Sequence, residues 1–343
     1  MVDTVKQVAE YRIRQIEIAE AKYYETLIKT LDKIEKQIVS LAGRELPRDD
    51  LGKLFDLKIA ISIRPKIRAI LEREYLGWAD TVVREGYNAQ AKRIERAFTK
   101  VGRIPKEFQQ LTEPDLILIQ NLKNQTFTQF KDVSNTFTRR LSEKIYQSTL
   151  TSAEFTDLEK ELRQTINGIY ASSDDKEANK IINEIKKDEV KLAKSDRNTT
   201  IGKAIEQRLD KNIQILQSKF ARDRAGDNMK KYAGQILNDG LREFDAQLNI
   251  AKATEAGLTY LKYQGSNIPT TREFCRLVRN GEYDTRKSGL FTIDEVRELW
   301  ANNNWTGKKA GDPLVVRGGY NCRHQWSFVN PDWYDESGEL ITE

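Results

Sequence analysis

No proline falls between residues 115 and 268 of this chain. A proline inside a helix removes a hydrogen bond and clashes with the preceding turn, at a cost of about 3 kcal/mol. So long a proline-free stretch therefore permits helices of many turns. Apolar residues make up 38% and charged residues 32% of the 343 positions, below the apolar share of about 45–50% usual in a globular domain. The balance suits solvent-washed helices with narrow apolar stripes. Four of the five tryptophans, Trp300, Trp305, Trp326 and Trp333, lie in the last 44 residues. Composition thus divides the chain near residue 255. The expected fold is mainly α, with an elongated long-helix region over 1–256 and a small α+β domain over 257–343.

The helical region carries its own punctuation. Leu27, Leu31, Ile34, Ile38 and Leu41 alternate steps of four and three, the seam of a heptad repeat. Tyr23, Glu20, Ile16 and Ile13 extend it backwards with one polar interruption. The helix is expected to end near Gly43, before Pro47. A bundle partner within the chain and self-association account for the stripe equally well. Leu51–Ile63 and a run from about Pro65 to Thr99 follow, with Gly77 and Gly86 as weak points. Thr112-Glu113-Pro114-Asp115 combines a hydroxyl cap, an acidic first turn and a proline where its missing N–H is harmless, so a helix should run from here to about Thr149. Ser152 is read as the cap of another, ending at Gly168. Ser172-Ser173-Asp174-Asp175 opens a lysine- and glutamate-rich stretch to Ser195, and Thr199–Ala253 reads as one or two further helices, with Gly226, Gly234 and Gly240 as candidate kinks.

After Gly257 the pattern changes. Leu258–Tyr263 is apolar and aromatic between two glycines and reads as a strand. Glu273–Val278 reads as a short helix, Asn280-Gly281 as a turn, and Thr292-Ile293-Asp294-Glu295 as a capping box opening a helix to about Trp300. Leu314–Arg317 is read as a strand, Gly318-Gly319 as a bend and His324–Val329 as a second strand.

Chemistry-bearing residues are few. His324 is the only histidine, and Cys275 and Cys322 are the only cysteines. One histidine excludes histidine-rich metal sites, and two cysteines exclude a disulfide framework. Cys275, Cys322 and His324 have ligand character for zinc, but a structural zinc site needs four ligands, and Asp284 could be the fourth only by conjecture. The plainer reading is two buried thiols and a hydrogen-bonded histidine. Nucleotide-binding glycine loops, nucleophile elbows and zinc-protease signatures are all absent. No catalytic residue and no cofactor are therefore expected. The net charge is only +5, and the segment after 257 is close to neutral, so any phosphate-facing surface belongs to the helical part. No apolar run approaches the 18 residues of a membrane span. The opening residues lack a signal-peptide profile, which points to synthesis in the cytoplasm.

The tail also resembles a known family. Thr271-Arg272-Glu273-Phe274-Cys275, Asn280-Gly281-Glu282-Tyr283, Phe291–Val296 and Gly318-Gly319-Tyr320-Asn321-Cys322-Arg323-His324-Gln325-Trp326 resemble, in order, the C-terminal domain of tailed-phage minor head proteins of the MuF, or head morphogenesis, type. The resemblance spans about residues 250–330. It implies a structural, non-enzymatic virion component placed in the head interior or at the portal vertex, after assembly in the host cytoplasm. It further implies contact with the portal protein, the major capsid protein and packaged double-stranded DNA, and a part in head assembly and DNA delivery. Arg272, Cys275, Gly281, Trp300, Gly318, Gly319, Asn321, Cys322, His324 and Trp326 would define the domain architecturally. The chain has one cysteine where many members have C-x-x-C, and no histidine ahead of Cys322. Two other readings remain open: a phage-carried enzyme or toxin using Cys322 or Cys275 with His324, and a cytoplasmic helical adaptor.

Overall fold

The computed structural model describes residues 4–100, 106–168, 173–194, 199–223, 226–265, 267, 271–283, 289–320, 322–335 and 341. The protein is 75% helical, with long helices through its N-terminal region and a small antiparallel sheet near the C-terminus. The helices are α1 (Thr4–Glu45), α2 (Leu57–Ser62), α3 (Arg64–Leu71), α4 (Gly77–Thr81), α5 (Tyr87–Lys100), α6 (Glu113–Leu150), α7 (Phe155–Asn167), α8 (Ser173–Lys194), α9 (Thr200–Asp223), α10 (Met229–Glu255), α11 (Glu273–Arg279), α12 (Ile293–Asn302) and α13 (Pro313–Val316). The strands are β1 (Tyr260–Gln264), β2 (Leu290–Thr292) and β3 (Gln325–Val329). Among the described residues, no helix is long and apolar enough to cross a membrane.

Most boundaries follow their local chemistry. Helix α6 begins where Thr112 and Asp115 hydrogen-bond reciprocally, with Thr112 N donating to Asp115 Oδ2 at 2.8 Å. Gly77 and Gly86 adjoin or close the two π turns, Glu72–Leu76 and Val82–Gly86, that interrupt the run from α3 to α5; π turns are a recognised way for a helix to absorb an irregularity. Helix α1 ends at Glu45, near Gly43 and before Pro47 as expected. Ser152 is not a cap: it takes φ 51° in the reversal between α6 and α7, and Glu154 holds the N-cap position of α7. Gly234 and Gly240 do not interrupt α10, which is helical throughout. A Cβ at Gly234 would stand 3.1 Å from the Tyr24 ring, so this glycine serves close approach to α1.

The chain divides into two compact units, with divisions inside α1, α6 and α10 and in the π turn Val82–Gly86. One unit comprises Ile18–Arg84 and Asn124–Leu237. Its core takes in the heptad seam, with Leu27, Leu31, Ile34 and Ile38 fully buried. Trp78 stacks on Tyr75 and meets Phe130 edge-on, and its indole N–H donates to Thr26 Oγ1 at 3.0 Å. Helices α8 and α9 pair through buried Ile181, Ile185, Leu209 and Ile213, and the Arg208 guanidinium forks onto Asp188 with both contacts at 2.6 Å.

The other unit comprises Met1–Glu17, Glu85–Lys123 and Asn238–Glu343, so the α+β tail shares a core with stretches of α1, α5, α6 and α10. Buried polar groups are matched along those helices. Arg12 donates to Asp245 (2.6 Å) and Asn249 (2.8 Å), and Gln90 donates to the other Asp245 oxygen (2.7 Å). Lys252, with no exposed side-chain surface, meets Asp115 at 3.1 Å. The sheet has the order β2-β1-β3, antiparallel throughout, with Leu261 opposite both Phe291 and Phe328.

One local expectation in this unit is corrected and another is met in a particular form. Leu314–Arg317 is not a strand. Asp312 Oδ1 accepts from Leu314 N at 2.9 Å and Pro313 takes the first helical position, so the apolar triplet winds into the single turn α13. The turn expected at Asn280-Gly281 is present, and it closes α11. Asn280 stays right-handed, Gly281 takes φ 71°, Gly281 N donates to Val278 O and Glu282 N donates to Leu277 O. That is the Schellman arrangement, for which a glycine is favoured.

Candidate functional site

The rarest side chains of the chain meet in the C-terminal segment. Strand β1 carries Tyr263 inward, α11 presents Cys275, and the segment entering β3 brings Cys322 and His324. Tyr263 Oη lies 3.3 Å from Cys322 Sγ and 3.5 Å from Cys275 Sγ. The two sulfurs are 3.9 Å apart, and Cys322 Sγ is 3.9 Å from His324 Nδ1. Both cysteines are free, and their separation is a thiol contact, well beyond the ~2.05 Å of a disulfide. The Tyr263 and His324 rings stack at 5.2 Å with 17° between planes. All four residues are buried, the cysteines and His324 each at 3% exposure or less.

Glycines make this convergence feasible. A Cβ at Gly318 would fall 2.2 Å from Cys275 Sγ and 2.9 Å from Cys322 Sγ. A Cβ at Gly319, where φ is 96°, would fall 2.1 Å from Gly307 O, the carbonyl that accepts from Tyr320 N at 3.0 Å. The bend expected at this pair is thus a double close approach, of backbone to sulfur and of backbone to backbone.

The remaining motif residues brace the same region. Arg272 ties two loops, donating from Nε to Thr306 O (3.2 Å) and from Nη2 to Tyr320 O (2.6 Å). Trp300 meets Trp305 edge-on at 4.8 Å, Trp305 stacks on Phe274 at 4.0 Å, and the Trp305 indole donates to Gly318 O at 2.9 Å. Trp326 contacts Tyr263 and Phe291 and donates to Pro313 O at 3.2 Å. Gly281 caps α11, apart from the sulfur cluster. Asn321 and Asp284 lie outside the described residues.

Electrostatics differentiate the two thiols. Burial on its own would raise Cys322, but hydrogen bonds with Cys275 and His324 and the charges of His324 and Arg317 outweigh it and hold Cys322 well below the ordinary thiol range. Cys275 moves the other way, raised by its hydrogen bond to Cys322 and by burial. The Tyr263 phenol is pushed well up, first by burial and then by the two neighbouring sulfurs. Arg317 is only 2% exposed, and its Nε and Nη1 have no hydrogen-bond partner among the described residues. It also takes φ 56°, costly for a side chain of this size.

Cys275, Cys322 and His324 are the residues that could hold a metal, their ligand atoms lying within 4.8 Å of one another. Thiolate and imidazole are the donors zinc prefers. The donor set fits such an ion. A nucleophile open to solvent is a poorer match, because neither sulfur reaches the surface. Sequence reasoning located three of the four converging side chains and missed Tyr263, as well as Arg317 and Trp305. Compared with known proteins, the chain matches no family model, no curated protein and no solved structure. The functional reading stands on the residues themselves.

Proposed function

We propose that this chain is a structural minor head protein of a tailed bacteriophage, without enzymatic activity. It acts in the head interior or at the portal vertex after assembly in the host cytoplasm. One observation carries the proposal. Motif residues scattered from Arg272 to Trp326 gather into one braced assembly, in which Arg272 reaches Tyr320 O, Trp305 reaches Gly318 O and Gly318 clears the two sulfurs. The order of residues that resembles the minor head family therefore has a common structural purpose, as expected of a shared folded module. The burial of Cys275, Cys322 and His324 supports architecture over catalysis.

Portal and capsid proteins are the proposed protein partners, and packaged double-stranded DNA a secondary one. For DNA, the support is a groove of about 890 Å³ in the unit that holds the heptad seam, lined by Lys29, Lys33, Lys36, Arg44, Lys66 and Arg73 with Asp32 as the one acidic liner. Glu25, Glu45 and Glu74 offset part of that charge, so binding should be weak and fall with added salt.

Interrupting the gene in the phage that carries it is the functional test. The expected result is that portal and capsid proteins accumulate while the yield of infectious particles falls, with rescue by the intact gene in trans. An unchanged yield of infectious particles would overturn the proposal.

A further inference from the structure

Tyr263 belongs to none of the residue patterns that single out the tail, yet its hydroxyl lies nearer to each sulfur than the sulfurs lie to one another. We propose that Tyr263, Cys275, Cys322 and His324 form a four-donor site for a thiophilic divalent cation of the zinc class, with Tyr263 Oη as the fourth ligand.

Tetrahedral zinc holds thiolates at about 2.3 Å and imidazole nitrogen at about 2.0–2.1 Å, which sets sulfur–sulfur and sulfur–nitrogen edges near 3.8 and 3.6 Å. Here the Cys275–Cys322 and Cys322–His324 separations are 3.9 Å, and the three donor atoms all lie within 4.8 Å of one another, so Cys275 and His324 would draw together around the ion. Oxygen–sulfur edges of similar length are required, and those of Tyr263 are 3.3 and 3.5 Å. The four donors come from β1, α11 and the segment entering β3, all within one compact unit, so coordination would tie α11 to the hydrogen-bonded β1–β3 pair.

Three further observations bear on an ion at this place. The His324 ring is buried, meets Cys322 through Nδ1, and leaves Nε2 without a hydrogen-bond partner among the described residues. A buried imidazole used only for packing would be expected to satisfy its nitrogens. At Gly318 the backbone carries no side chain, and the two sulfurs and the Tyr263 hydroxyl converge on the place a Cβ would take, at 2.2, 2.9 and 3.4 Å. Finally, Arg317 buries a cationic head with no carboxylate against Nε or Nη1. Two thiolates and a phenolate around a dication leave one negative charge, which Arg317 neutralises. A bound dication favours that phenolate, as it favours the deprotonated form of any coordinated thiol or water.

The test uses the full chain, kept reduced, stripped with a chelator and titrated with Co2+ as a spectroscopic stand-in for zinc. The expected result is one equivalent bound, with the intense visible bands of a tetrahedral ion and near-ultraviolet thiolate charge transfer, both abolished by Zn2+. Tyr263→Phe should retain the far-ultraviolet circular dichroism of the parent, bind at least tenfold more weakly and show shifted visible bands, because water takes the fourth position. Equal affinity and identical bands in Tyr263→Phe would overturn the role of Tyr263. Absence of tetrahedral bands in the parent chain would overturn the site. Should Tyr263→Phe fail to fold, X-ray absorption of the zinc-loaded parent decides: two sulfur and two lighter donors are expected, and a shell with fewer than two sulfurs contradicts the proposal. None of these outcomes bears on whether the chain is a virion component.

Discussion

Replacing Gly318 and Gly319 separately by alanine isolates the close approaches on which the C-terminal architecture depends. At Gly319 two penalties combine. The backbone sits at φ 96°, and the new Cβ would lie 2.1 Å from Gly307 O, which must retreat about 1.3 Å to restore a 3.4 Å contact. A left-handed conformation costs a residue with a Cβ about 1–2 kcal/mol, and overpacking a rigid site costs about 1–3 kcal/mol. Gly319→Ala should therefore destabilise by about 2–5 kcal/mol. At Gly318 φ is ordinary, and the obstruction is side-chain sulfur at 2.2 and 2.9 Å. Gly318→Ala should cost only the overpacking part, about 1–3 kcal/mol. Urea unfolding followed by tryptophan fluorescence reads the difference, since Trp300, Trp305, Trp326 and Trp333 all lie in this segment. With a slope of about 2 kcal/mol per molar urea, the Gly319→Ala midpoint should fall by about 1–2.5 M. A loss below about 0.5 kcal/mol at Gly319, the range of an unremarkable surface change, would refute the close approach to Gly307.

Lys252→Met should destabilise by about 3–5 kcal/mol in the same assay, because it strands the buried Asp115 carboxylate. Adding Asp115→Asn should recover part of that loss, and a double variant no better than Lys252→Met would contradict the pairing. Glu74 is held down, from the ordinary 4.5 to about 2, by Lys33 first and then by Arg73 and Gln37. A depressed carboxyl contributes its full stability above pH 4.5 and loses it as pH falls towards 2. Unfolding measured at pH 7 and pH 3 should thus show a smaller acid loss in Glu74→Gln than in the parent, and equal losses would count against the network. Thr292→Ala removes the cap on Glu295 N (3.2 Å) and should cost about 1 kcal/mol by urea unfolding. No measurable cost would mean that the capping box does not anchor α12.

Where local chemistry decides the outcome, the sequence was legible. The Thr112–Asp115 cap, the Thr292–Glu295 box and the heptad seam all describe interactions within one or two turns, and α6, α12 and α1 follow them closely. Misreadings arose where two local signals competed. In Leu314–Arg317 the apolar run suggested a strand, but Asp312-Pro313 just before it is a helix start, and the cap prevails. At Ser152 a capping residue type sits in a reversal whose direction is imposed from outside: Leu54 N donates to Ala153 O, and Phe155 N donates to Gly52 O. The site follows the same logic. Cys275, Cys322 and His324 stood out because no other cysteine or histidine competes for attention. Tyr263 is one of 13 tyrosines, and only the position of β1 beside α11 and β3 brings its hydroxyl to the sulfurs. Arg317 is likewise one of 57 basic residues, and nothing local marks it as the one to be buried.

The central claim, that this chain is a minor component of a phage head, is tested most directly by counting it in particles. Quantitative mass spectrometry of gradient-purified virions, washed to remove adventitious protein, gives its ratio to the major capsid protein. The account predicts a low copy number that reproduces between preparations and survives the washes. Absence from washed particles, or an amount that varies with washing, would contradict it.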